Sequence, residues 1–250
     1  MYLALQTALI VFYVALVGAA IALARSKYHT AFSLAVIGAI TIAVGSVSGG
    51  FVGGVLRGAI FGIDVRSITV ATAAQIVGAM AFAGFGEELA RIVVLRWRYR
   101  HRNDRLEDMV MFGAAFGGAE VIYRAYLRLA ALIAGSTAVG MTPWGSVWVA
   151  ITCVEIFIFH IFLTLLVYRA VRRPAFRPAL LGLIVLYHGG LDFCGGMTGV
   201  LLGAGYAALL WSVLTPIHIW VMLRLLNLPM HAPTGLVDSI PPANRQSIGT

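Results

Sequence analysis

Long runs of apolar residues, separated by short polar segments, dominate this chain. Several runs reach the ~20 residues that a helix needs to cross the hydrocarbon core of a bilayer. The runs lack the alternation of apolar and polar residues that a transmembrane β-strand would have. The pattern therefore predicts an all-α, polytopic transmembrane helical bundle of about seven spans, at 2–24, 31–55, 68–95, 109–134, 145–168, 179–197 and 200–226.

The second predicted span is unusually rich in glycine. Its sequence GSVSGGFVGGVLRGAIFG (45–62) has Gly45, Gly49 and Gly53 at four-residue intervals. Small residues at this spacing let the backbones of two helices approach closely. A broken or re-entrant helix is the alternative, and close packing is the preferred interpretation.

The composition excludes a soluble protein. The chain is 60% hydrophobic and 11% charged, with a mean hydropathy of +0.92, whereas soluble domains are roughly 45–50% apolar and 25% charged. We expect a single transmembrane domain over 1–228. The residues from 229 to 250 contain proline and serine without an apolar period, and they predict a short flexible cytoplasmic tail.

Positive charge is concentrated after the odd-numbered spans. The segment RWRYRHRNDR (96–105) follows the third span, and further arginines lie between 169 and 177. By the positive-inside rule, this predicts an N-terminus outside and a C-terminus in the cytoplasm. We interpret the net charge of +8 as contact with a lipid bilayer and expect no nucleic-acid partner. The expected location is the cell inner (plasma) membrane, as a multi-pass protein.

Ionisable residues nevertheless remain inside the predicted spans. Each charge near the bilayer centre costs about 2.5–3.5 kcal/mol on insertion scales, so such residues need partners or a function. Five of the ten acidic residues are placed in this way. The complete set is Glu87, Glu88, Arg91, Glu120, Arg124, Arg128, Glu155, His160, His188, Asp192 and His218.

Helical spacing groups some of these residues. Arg91 lies four residues after Glu87 and three after Glu88, so it can hold one carboxylate and leave the other free. His188 and Asp192 are also four apart, which places a carboxylate where it can orient the imidazole. Structural ion pairs are the alternative for the Glu87–Glu88–Arg91 group.

Other members of the set have simpler interpretations. Glu120 and Arg124 share the four-residue spacing and can form an intrahelical pair, while Arg128 is expected to pair or to reach the interface. Glu155 is five residues from His160 and does not obviously cooperate with it. We interpret His218 as a core histidine. Taken together, glutamates on two helices and histidines on two others are the groups needed to activate water for hydrolysis, with or without zinc.

Three short motifs resemble those of a known superfamily. EELAR (87–91), FGGAE (116–120) and HGGLD (188–192), with His160 between the last two, are similar in order to the motifs of the CAAX-protease-and-related superfamily of intramembrane proteases. The PrsW-type and YhfC-type bacterial branches are closest, because they carry glutamate in the second motif. The resemblance covers four successive spans, with a motif core at 83–197. The first motif is one residue shorter than in CAAX proteases, and the second motif is followed by Val121. Both features favour the YhfC-type branch and disfavour a prenyl-protein substrate.

The resemblance implies an intramembrane endopeptidase that cleaves a membrane-associated protein or peptide. Glu87 would be the base that activates water, with Glu88 close by and Arg91 orienting the two glutamates. Asp192 would support His188.

The same resemblance implies how the site is completed. Glu120, His160 and His188 would either hold water and the oxyanion or coordinate a metal ion. Three such ligands suit zinc and leave one position for water.

Two other functions remain open at this stage. A proton-coupled membrane transporter or channel would use the same glutamates and histidines, although no internal repeat is visible in the sequence. A catalytically silent family member acting as a scaffold is the second. A retinal protein is excluded, because the only lysine, Lys27, lies at a loop.

Overall fold

The computed structural model describes residues 2–61, 70–101, 105–133, 143–172 and 178–227. These ranges contain seven helices and no strand, which confirms the predicted all-α bundle. The predicted spans agree with the helices except for a few residues at their ends. The predicted tail, 229–250, lies outside the described residues. The helices are α1 (Tyr2–Tyr28), α2 (Phe32–Phe61), α3 (Val70–His101), α4 (Leu106–Ile133), α5 (Pro143–Val171), α6 (Pro178–Leu202) and α7 (Ala204–Asn227).

Five of these seven helices are long and apolar enough to cross a membrane: α1, α2, α5, α6 and α7. The other two, α3 and α4, are also long, but they contain most of the ionisable residues noted above. The charged residues lower the mean hydropathy of these two helices. The same residues include candidates for the functional site. The helices identify a membrane protein, whereas its orientation stays a prediction.

The ends of several helices follow from local chemistry. Proline begins both α5 and α6, where a missing backbone N–H leaves no hydrogen bond unmade. At the start of α4, the Asp108 carboxylate accepts a hydrogen bond from the Arg105 backbone N–H (2.9 Å). Only Gly203 separates α6 from α7, and its φ of +93° is accessible to glycine at little cost.

Apolar side chains lie both inside the bundle and on its outer surface. Phe112, Phe116 and Leu163 are fully buried between helices. Val47 and Phe51 of α2 are more than 70% exposed. Large exposed apolar side chains on successive helices fit a surface that contacts lipid rather than water.

Glycines let α2 pack directly against the backbone of α3. A Cβ added to Gly45 would lie 2.5 Å from the Cα of Glu87, and one added to Gly49 would lie 3.0 Å from the Cα of Ala83. The helix is continuous through this region, so the close-packing interpretation is correct and the broken-helix alternative is wrong. The contact fixes the segment of α3 that carries Glu87.

Candidate active site at the centre of the bundle

Ionisable residues from α3, α5 and α6 come together inside the bundle. Glu88 and Arg91 are completely buried, and Glu87, His160 and His188 are each at most 8% exposed. Glu120 of α4 joins the same cluster through a hydrogen bond to His160. The three motifs identified in the sequence and the isolated His160 are therefore neighbours in space.

Arg91 is the centre of the hydrogen-bond network. Its Nη1 donates to both carboxylate oxygens of Glu88, at 2.7 and 2.9 Å. Its Nη2 donates to Nδ1 of His160 (2.7 Å), and its guanidinium carbon lies 3.9 Å from the centroid of the Phe116 ring. Of the two adjacent glutamates, Glu88 is held by the arginine and Glu87 is left free of it.

The hydrogen bonds also determine how His160 is protonated. A guanidinium only donates, so Nδ1 of His160 must accept from Arg91. Nε2 then carries the ring proton and donates to Oε2 of Glu120 (2.8 Å). Oε1 of Glu120 accepts from Nε of Arg124 (3.0 Å), which is the intrahelical pair expected from the spacing. Both nitrogens of His160 are thus occupied.

His188 is oriented by Glu88 rather than by its own helix. Its Nδ1 lies 2.7 Å from Oε1 of Glu88, and because that carboxylate is paired with Arg91, the imidazole must be the donor. The opposite nitrogen, Nε2, lies 3.8 Å from Asp192 and 4.0 Å from Glu87. Asp192 therefore makes no orienting hydrogen bond, and its side chain is 40% exposed at the edge of the site.

Glu87 is positioned by a residue that sequence reasoning missed. Oε1 of Glu87 accepts a hydrogen bond from the hydroxyl of Ser46 on α2 (2.6 Å). Oε2 faces Nε2 of His188 across a gap that is too long for a hydrogen bond and short enough for one water molecule to contact both atoms. The only signal for Ser46 in the sequence is its place beside Gly45, on the helix that packs against Glu87.

Three of the polar residues singled out in the sequence take no part in this cluster. Nη1 of Arg128 donates to Oε1 of Gln6 (2.6 Å), and Gln6 in turn donates to Ser146 (3.0 Å), so that α1, α4 and α5 are joined. Glu155 and His218 line a separate pocket between α5 and α7.

A metal ion fits this arrangement only in part. Among the described residues, Glu87, His160 and His188 offer ligand atoms within 4.8 Å of one another. Glu87 and Nε2 of His188 are suitable ligands, but the hydrogen bonds to Arg91 and Glu120 leave His160 no free lone pair. Glu120, expected as a ligand, instead holds His160 and Arg124. Zinc held by Glu120, His160 and His188 stays a prediction, and the observed hydrogen bonds do not fit it.

No protein-family model matches this chain, and no curated protein or solved structure matches it significantly. The resemblance to intramembrane proteases therefore depends on the motifs alone. What it implies about activity is a proposal.

Proposed function

We propose that this protein is an intramembrane endopeptidase, which hydrolyses a peptide bond of a membrane-associated protein or peptide with water activated by Glu87. The observation that carries the proposal is the position of Glu87. Among the described residues its carboxylate has no arginine partner; it is oriented by Ser46 and lies 4.0 Å from Nε2 of His188, whose opposite nitrogen, Nδ1, is held by a second carboxylate. A base and a proton donor that can contact the same water molecule are the groups that general acid–base hydrolysis requires.

The proposed reaction uses only these side chains. Glu87 removes a proton from water, and the water oxygen forms a bond to the carbonyl carbon of the substrate. With both ring nitrogens protonated, His188 donates from Nε2 to the oxygen on which negative charge develops. The C–N bond then breaks, and Glu87 returns its proton to the leaving amine. Glu88 and Arg91 contact no substrate in this scheme and act by fixing His188 and His160.

The apolar helices indicate a membrane protein, and we propose the inner (plasma) membrane as its location. Water at the site would arrive past Asp192, whose side chain is exposed at the edge of the site. The transporter alternative is less well supported, because α2 is continuous where that function would favour a broken helix.

The test compares the wild type with Glu87→Gln and the matched control Glu107→Gln, which makes the same change at an exposed position of α4. Each form is produced in cells, membranes are incubated in H₂¹⁸O, and new protein termini are mapped by mass spectrometry. We expect termini carrying one ¹⁸O in the wild type and the control, reduced at least about 100-fold in Glu87→Gln, because general bases contribute roughly 10²–10⁴-fold. Equal products from all three forms would exclude Glu87 as the base.

Metal content is tested separately by elemental analysis of the purified protein. We expect well under one zinc per chain, because the hydrogen bonds of His160 leave it no free lone pair for a metal. About one zinc per chain, lost in both His160→Ala and His188→Ala, would mean that Arg91 withdraws from His160 and that the reaction is metal-assisted.

A further inference from the structure

A second polar site lies in the bundle, next to the first. It is a pocket between α5 and α7 whose polar members are Glu155, Thr215 and His218 and whose aromatic members are Phe159, Phe162 and Trp211. The space that it encloses is about 10 Å³, and the pocket is open on one side. Roughly 10–15 Å³ is enough for one water-sized group, so the pocket suits the ammonium head of a single side chain better than a whole small molecule.

Glu155 differs from the other acidic residues within the spans. Glu88 and Glu120 each pair with an arginine, and Glu87 and Asp192 both face His188. Among the described residues, Glu155 has the hydroxyl of Ser212 at 3.5 Å and no basic side chain as a partner. It lies near the middle of α5, where an unpaired carboxylate is costly.

The pocket shares a wall with the proposed active site. The Phe159 ring lies 5.7 Å from the His188 ring on one side and 6.4 Å from the Trp211 ring on the other. His218 in turn contacts Trp211, with ring centroids 5.5 Å apart. The two sites are thus separated by a single aromatic side chain, a distance that roughly three residues of extended peptide span.

We infer that this pocket binds the ammonium group of a lysine in the substrate, within about three residues of the bond that is cleaved. A carboxylate surrounded by aromatic rings is a favourable site for an ammonium or guanidinium group, since both charge pairing and cation–π contact stabilise the cation. A basic residue of a membrane-embedded substrate would need such a partner as much as Glu155 does. The inference rests on the proposed function for its substrate, but the binding of a cation is measured independently of cleavage.

The first experiment measures binding in the purified full-length protein. n-Butylammonium chloride, which mimics the lysine side chain, is compared with n-butanol at constant ionic strength, and thermal unfolding is recorded for the wild type, Glu155→Gln and Glu107→Gln. We expect butylammonium, and not butanol, to raise the Tm of the wild type and of Glu107→Gln. In Glu155→Gln the apparent affinity should fall about tenfold or more, because the charge is lost. An equal rise in Tm in Glu155→Gln, or no rise in the wild type, would overturn the inference. Glu155 would then be a carboxyl group whose hydrogen-bond partner is Ser212.

The second experiment measures cleavage. The protein is reconstituted with a synthetic apolar peptide of about 20 residues that contains one central lysine, or norleucine in its place. We expect cuts within three residues of the lysine, and a lysine preference that falls about tenfold in Glu155→Gln. Cleavage that does not depend on the lysine but still requires Glu87 would contradict the proposed cation site and support the proposed endopeptidase. Butylammonium binding without any Glu87-dependent cleavage would overturn the endopeptidase and leave the cation site.

Discussion

Arg91 is the residue on which the proposed active site depends most. It is completely buried, yet it contacts a carboxylate, an imidazole and an aromatic ring at once. Removing one partner of a buried ion pair costs about 3–5 kcal/mol, because the other charge is left uncompensated. Replacing both partners with neutral groups costs much less.

Arg91→Met should therefore lower the free energy of unfolding by about 3–5 kcal/mol, whereas the double variant Arg91→Met/Glu88→Gln should recover most of this loss. Neither variant should be active. Unfolding in mixed micelles measures the stability, with Arg105→Met as the control, since the Arg105 side chain is 59% exposed, lies 3.7 Å from Asp108 and donates to the carbonyl of Tyr28 at an exposed position. Strictly additive losses in the double variant would show that the two residues do not form a coupled pair.

Ser46 offers a finer test of the same site. Ser46→Ala removes the hydrogen bond to Glu87 and should reduce kcat about tenfold with little change in KM, while stability changes by no more than about 1 kcal/mol. Ser48→Ala is the matched control, because among the described residues the Ser48 hydroxyl bonds to the carbonyl of Gly45 in its own helix and to no residue of the site. The readout is the rate of formation of the ¹⁸O-labelled termini. Equal rates in the two variants would remove Ser46 from the site.

At the scale of elements, the contact between α2 and α3 decides where Glu87 lies. The contact is made by glycines on one side of α2, so the two backbones touch. Any added carbon on this side must push the helices apart, and a shift of the α3 backbone moves the carboxylate directly.

Gly49→Ala should destabilise the protein by about 1–3 kcal/mol, because the new methyl group would overlap the backbone of Phe82 and Ala83. Gly50→Ala, one residue later, has no atom within 4 Å of the added carbon. It should be neutral or stabilising by about 0.5–1 kcal/mol, since alanine favours a helix interior over glycine. Thermal unfolding of both variants measures the difference, and a similar Tm for the two would contradict the close contact.

The sequence predicted the helices and the glycine contact well, because each depends on a pattern within one segment. The sequence alone does not show whether Arg91 pairs with Glu87 or with Glu88, since both spacings allow a pair. That choice depends on His160 and His188, which arrive from α5 and α6 and accept or donate the remaining hydrogen bonds. Ser46 was missed for the same reason: its function comes from a contact between helices, and no local pattern marks it.

At the scale of the whole molecule, the distribution of basic residues predicts the orientation. A reporter that is active only in the cytoplasm, such as a fluorescent protein, should be functional when fused to the C-terminus, and a phosphatase that needs an oxidising compartment should be inactive there. Fusions after residue 140, between α4 and α5, should give the opposite result. The same result at both positions would contradict the predicted topology.

The low hydropathy of α3 and α4 also constrains how the chain is made. During synthesis, these two helices leave the ribosome before α5 and α6, so Arg91 and Glu120 reach the bilayer before His160 and His188 exist to receive their hydrogen bonds. Both helices gain less from lipid than the other five, because each carries several charges. We expect them to remain beside the translocation machinery or an insertase until the later helices emerge. Insertion would then be cooperative over at least four helices, and the residues proposed for catalysis would be the ones that impose this delay.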